Sequence, residues 1–217
     1  DTTVFDLDKD VKEKVNEIVD SLYEIVPECF AERLISHTFH MTLHDLENGS
    51  EYSDALQLRM QVAEGRVKQM LTQWKTGKPL RMKATWLFNM VNTSIVLGLT
   101  PADEVSRQRL DEMYMALESV VPLGYALTPH ITMAYFKPGI YSQQELDCLR
   151  QALRPVELEV ELRMENLVYQ EFFDIGFESC EQVEENLKKY CFDPDSLGRK
   201  VGNLSGGEKN LLQLAKL

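Results

Sequence analysis

The chain has 217 residues, of which 44% are hydrophobic and 27% charged, and carries a net charge of −12. Those proportions are of the globular kind, no apolar run reaches the ~18–20 residues that cross a bilayer, and no signal-peptide pattern opens the sequence. The acidity excludes a protein that coats RNA or DNA, because affinity for a long polyanion rests on neutralising its phosphates; an enzyme gripping one nucleotide end in a local pocket is still allowed. The four cysteines, Cys29, Cys148, Cys180 and Cys191, include no Cys-x-x-Cys pair. Neither a zinc site nor a dithiol redox motif is therefore expected, and scattered thiols fit a reducing cytoplasm.

In chain order, Val11, Val15, Ile18, Val19, Leu22, Ile25 and Val26 recur at helical spacing and predict an amphipathic helix over 10–26, ended by Pro27. A strand-like run over 36–46 breaks at Asn48-Gly49. A long helix is expected over 52–74, with Ala55, Leu56, Leu58, Met60, Val62, Val67, Met70 and Leu71 as core positions. Two strands come next, 80–90 and 93–99, turning at Asn92. The order then repeats. Pro101 opens a helix to about residue 119, a strand spans 128–136, and Ser142 with Glu145 forms a capping box on a helix to about 153. Strands at 156–164 and 166–174 complete the second unit, the first alternating Val156, Leu158, Val160 and Leu162 with charged residues.

Both halves thus read helix, strand, helix, hairpin, and a repeated unit is the strongest organisational signal in the chain. The expected fold is α+β: a duplicated, bilobal domain over 1–175, with lobes at about 1–100 and 101–175. Two antiparallel sheets flanked by helices would enclose a central cleft.

The equivalent strand of each half carries one short pattern, His40-Met41-Thr42-Leu43 and His130-Ile131-Thr132-Met133. Strand side chains alternate faces, so each strand buries its apolar pair and presents His with Thr on the other face. A pseudo-twofold would bring the two polar faces together. A histidine side chain titrates near pH ~6.5, so one imidazole can take a proton from water while another protonates a leaving oxygen. The threonine hydroxyls can bond non-bridging phosphate oxygens. No metal or cofactor is needed for this chemistry; among acidic residues only Asp45 is close to the motifs. By strand parity His44 and Phe136 are further candidates for substrate contact, whereas His37 and Tyr135 point the other way. Arg81, Lys83 and Lys137 read chiefly as surface charges.

The doubled His-x-Thr-x pattern resembles the two-histidine (2H) phosphoesterase superfamily, especially its bacterial 2′,5′ RNA ligase and 2′,3′-cyclic phosphodiesterase branch, over about residues 1–175. The resemblance implies catalytic roles for His40 and His130 and phosphate binding by Thr42 and Thr132. It also implies a small nucleotide or RNA-end substrate carrying a 2′,3′-cyclic phosphate or a 2′,5′-type linkage. The same cleft could instead belong to a non-catalytic nucleotide- or partner-binding module.

Residues 176–217 differ in character and read as a helical extension. The run Val201-Gly202-Asn203-Leu204-Ser205-Gly206-Gly207-Glu208-Lys209 resembles the signature segment of ABC-F ATPases. No Gly-x-x-x-x-Gly-Lys-Ser/Thr loop accompanies it, so residues 182–217 are expected to serve, if anything, as a contact for a protein partner and not in ATP hydrolysis.

Overall fold

The structure, a computed structural model, describes residues 1–48 and 53–170. The C-terminal extension with its ABC-F-like run lies outside the described residues, as does the end of the strand expected to reach 174.

Among the described residues four α-helices and seven strands succeed one another as β1 (Thr2–Asp6), α1 (Lys9–Ile25), β2 (His40–Asp45), α2 (Asp54–Trp74), β3 (Leu80–Met90), β4 (Ser94–Pro101), α3 (Glu104–Glu118), β5 (His130–Tyr135), α4 (Gln143–Ala152), β6 (Glu159–Leu162) and β7 (Leu167–Gln170). The fold is α+β, as the pattern of periods implies. The expected pair of sheets is one seven-stranded sheet in the order β6-β3-β4-β5-β2-β1-β7, antiparallel throughout. Its two halves meet at a narrow seam, where β2 and β5 pair only through Met41 and Ile131.

The last two strands do not form the expected hairpin. β6 pairs with β3 and β7 with β1, at opposite ends of the sheet. Pairing that distant in sequence is not written in local alternation. The repeat is therefore strand-helix-strand-helix, β1-α1-β2-α2 against β4-α3-β5-α4, and a strand that follows each repeat pairs with the other: β3, after the first, with β4, and β7, after the second and beyond β6, with β1.

A row of side chains runs across the sheet through register partners: Leu167, Phe5, Met41, Ile131, Leu97 and Leu87. Each is at most 1% exposed. The row faces the helices, which contribute Val15 and Val19 (α1), Val67 (α2), Met113 and Leu117 (α3) and Leu149 (α4) to the same core. Fully burying one such side chain is worth ~1.5–3 kcal/mol, so this face is the adhesive one. In α2 the buried stripe is Leu56, Ala63, Val67 and Leu71. Leu58 and Val62, expected in the core, stand 63% and 59% exposed on the opposite side of the helix.

Caps fix the helix starts. The Ser142–Glu145 box is present, with the Ser142 side chain accepting the Glu145 amide and the Glu145 carboxylate accepting the Ser142 amide. Pro101 does not open α3; it ends β4, and Asp103 caps the helix by accepting the Ser106 amide at 2.7 Å. That bond holds the Asp103 carboxyl below its ordinary range.

Candidate active site

The face of the sheet opposite the helices carries the two motifs. Both strands have the same burial pattern over their first five residues: His and Thr half-buried, the alternate residues buried. Beside them, Thr42 pairs in register with Val4 and Thr132 with Val96, while His40 pairs with Asp6 and His130 with Gly98. Val4 and Val96 are buried and lie in register beside the two threonines.

Each strand has an irregularity at one and the same place. In β2 the register passes from Thr3–His44 to Val4–Thr42, skipping Leu43; in β5 it passes from Ile95–Ala134 to Val96–Thr132, skipping Met133. One extra residue increases local twist and re-aims the side chains beyond it. The two strands are thus bent alike, one residue past each Thr.

The seam sets the relative placement of the motifs. Met41 opposite Ile131 is the single pair between these strands among the described residues; an antiparallel register extended one residue to either side of it would set His40 across from Thr132 and Thr42 across from His130. Neighbours directly across such a pair are separated by ~4.5–5.5 Å and diagonal ones by ~7–8 Å. Two imidazoles in the diagonal relation can flank one tetrahedral group, with a threonine hydroxyl next to each.

The ring orientations match as well. His40 Nδ1 lies 2.7 Å from the Thr38 carbonyl oxygen, and His130 Nδ1 lies 2.7 Å from that of Thr128, two residues upstream in each case. A carbonyl oxygen can only accept, so Nδ1 carries a hydrogen in both rings. The neutral imidazole then keeps its lone pair on Nε2.

Two sequence-based expectations fail here. His44 does not line the cleft: it is 1% exposed, its Nε2 lies 3.2 Å from Glu118 Oε1, and its ring leans on Tyr114 with centroids 5.0 Å apart. The bulge at Leu43 is the reason, because one inserted residue moves every later side chain to the other face. Phe136 is likewise core, stacked on Phe30 at 5.8 Å and bordered by Tyr141. The three basic candidates differ in setting: Arg81 pairs with Asp103 at 3.6 Å, Lys83 lies in register with Thr100 and Glu159 on β3, and Lys137 comes after β5 with its amide bonded to the Cys29 carbonyl at 2.8 Å. His37 is exposed and its carbonyl receives Lys12 Nζ at 2.7 Å.

The surroundings of the two motifs are not symmetrical. A Cβ built on Gly98 would stand 2.9 Å from both Phe88 Cε1 and Thr85 Oγ1, so the Phe88 ring closes over the strand next to His130. A glycine among large aliphatics, Ile95-Val96-Leu97-Gly98-Leu99, is the signal of such an approach, and it points to Phe88, which periodicity alone does not. On the His40 side the corresponding position is Asp6, bonded to Lys12 Nζ at 2.6 Å. Asp6 and Lys12 also line a groove of about 850 Å³, with Ser36, His37 and Asn166 among others; neither His40 nor His130 is among its lining residues. A smaller hollow of about 250 Å³, between Leu58, Val62 and Val121, contains neither motif histidine. We expect Gly98→Val to destabilise the protein by about 1–3 kcal/mol through overpacking against Phe88. The measure is the urea midpoint at constant m-value, and an unchanged midpoint would mean that Phe88 and Thr85 yield freely.

Among the described residues no three His, Cys, Asp or Glu side chains gather as a metal site, and no helix is long and apolar enough to cross a membrane.

No family model matches the sequence, and comparison with curated proteins finds no match. Among solved structures, the chain is similar to the crystal structure of TT0787 of Thermus thermophilus, with 16% identity over 74% of this chain and 82% of that one and a TM-score of 0.47. It is also similar to a crystal structure described as a phosphoesterase, with 11% identity over 75% of this chain and 97% of that one and a TM-score of 0.40. Likenesses this distant transfer no function, which has to be read from the site itself.

Proposed function

We propose that this chain is a phosphoesterase of the two-histidine type, acting on a 2′,3′-cyclic phosphate or related phosphodiester of a small nucleotide or RNA end. The observation that carries the reading is the matched pair of motifs: two His-x-Thr strands, bent at the same residue, with both imidazoles fixed through Nδ1 to a backbone carbonyl and Nε2 left for chemistry.

In this mechanism the cyclic phosphate sits between the rings. The neutral imidazole takes a proton from water at Nε2 as the water oxygen bonds to phosphorus. The protonated imidazole gives its Nε2 hydrogen to the 2′ or 3′ oxygen as that P–O bond breaks. Thr42 and Thr132 hydroxyls donate to the non-bridging oxygens, where negative charge grows. The product is a phosphomonoester with a free hydroxyl, the two rings exchange protonation states, and solvent restores them. A carbonyl on each Nδ1 keeps the imidazoles in the tautomer this transfer needs. The acidic surface, at a net charge of −12, suits a short anionic substrate held locally better than a long one.

Incubating the protein with a panel of 2′,3′-cyclic nucleotides, 2′,5′-linked dinucleotides and 3′,5′-linked controls tests the proposal. Ring opening is expected for the cyclic substrates, persisting in excess chelator. Tight nucleotide binding with no turnover anywhere in the panel would replace the enzyme by a non-catalytic binding module.

A further inference from the structure

Each orienting carbonyl lies in the loop leading into its strand, and each of those loops is pinned by a charged side chain from the preceding helix. Before β2, Lys12 of α1 donates to the His37 carbonyl at 2.7 Å, one residue from Thr38, whose carbonyl holds His40. The same ammonium bonds Asp6, the register partner of His40. Before β5, Glu118 of α3 accepts the Leu123 amide at 2.8 Å and the Gly124 amide at 3.5 Å. Tyr114, one turn earlier, donates to the Tyr125 carbonyl at 2.6 Å. This segment runs on to Thr128, whose carbonyl holds His130. His44 braces Glu118 from β2 while buried to 1% exposure.

We propose that Lys12 and Glu118 are positioning residues, each setting the orientation of one histidine independently of the other: Lys12 that of His40, Glu118 that of His130. The two anchors have opposite charge and different backbone partners, a carbonyl in one case and amides in the other. The likeness of the rings is therefore reached by separate means in each half. The Leu123 amide, and after it the Gly124 amide and His44, hold the Glu118 carboxyl below its ordinary range against the opposing effect of burial. It thus accepts these bonds as a carboxylate at neutral pH.

The test is a crossed pair of variants, Lys12→Met and Glu118→Ala, read by two-bond ¹⁵N–¹H correlation of the imidazoles, which reports which ring nitrogen carries hydrogen. In the intact protein both neutral rings are expected as the Nδ1–H form. Lys12→Met should move the His40 signals toward a mixture of tautomers and leave His130 unchanged; Glu118→Ala should do the reverse. Glu118→Gln keeps an oxygen for the Leu123 amide and should restore most of the His130 pattern. Where Glu118→Ala does not fold, His44→Phe removes the brace while keeping a ring against Tyr114, and should loosen His130 in the same sense. Either variant disturbing both rings alike, or neither disturbing any, would overturn the proposal. The kinetic counterpart rests on the phosphoesterase reading: kcat should fall by about 10–100-fold, as misplacement of a reacting group does, with KM little changed. If no phosphodiester is turned over, that reading fails, and the imidazole spectra still decide this one.

Discussion

Replacing either His40 or His130 by Ala is expected to lower kcat for opening of a 2′,3′-cyclic phosphate by about 10²–10⁴-fold, the range for loss of one acid–base group, with the fold intact by circular dichroism. Both side chains are half-exposed on the sheet face away from the helices, so their loss leaves no cavity in the core. The double variant should be little worse than either single one, because the two rings serve one proton relay and their effects do not add. Under the proposed mechanism the rate profile of the intact protein should be bell-shaped in pH, since turnover would then need one ring neutral and one protonated. Its two limbs belong to the pair and not to a named histidine. In each single variant one limb should vanish. Turnover at the wild-type rate in either variant would remove the proposed mechanism.

Met41→Ala carries the largest expected cost in stability, about 2–5 kcal/mol. Met41 is fully buried and forms, with Ile131, the one register pair joining β2 to β5 among the described residues. Truncation there removes packing at the point where the two halves of the sheet meet, and no second pair between these strands shares the load. Ile131→Ala should act similarly. The two together should depart from the sum of the single effects, as residues in contact do. Urea titration of the three variants measures this. A cost below about 0.5 kcal/mol, the range of ordinary surface changes, would show that the seam contributes little to holding the halves together.

Much of this molecule is legible in its sequence because its strongest signals are local. The doubled His-x-Thr-x motif, the burial of Met41, Leu43, Ile131 and Met133, and the Ser142–Glu145 box each depend on a few adjacent residues and their period. Three features are hidden for identifiable reasons. β1, Thr2-Thr3-Val4-Phe5-Asp6, lies between β2 and β7 and buries its first four residues on both faces, so it shows no alternation. The bulges at Leu43 and Met133 insert a residue without changing composition, so parity counted beyond them fails and misplaces His44 in the cleft. The separation of β6 from β7 is a matter of long-range register, on which neighbouring residues are silent. Phe88 becomes visible only through the missing side chain at Gly98.

The crossing of β3 and β7 has a consequence for how the duplication holds together. Each repeat ends by handing a strand to its sibling, so neither finishes its own layer of hydrogen bonds. A single repeat expressed alone would expose a bare flank of amides and carbonyls that invites pairing with another chain. In the duplicated protein that appetite is met from within the chain.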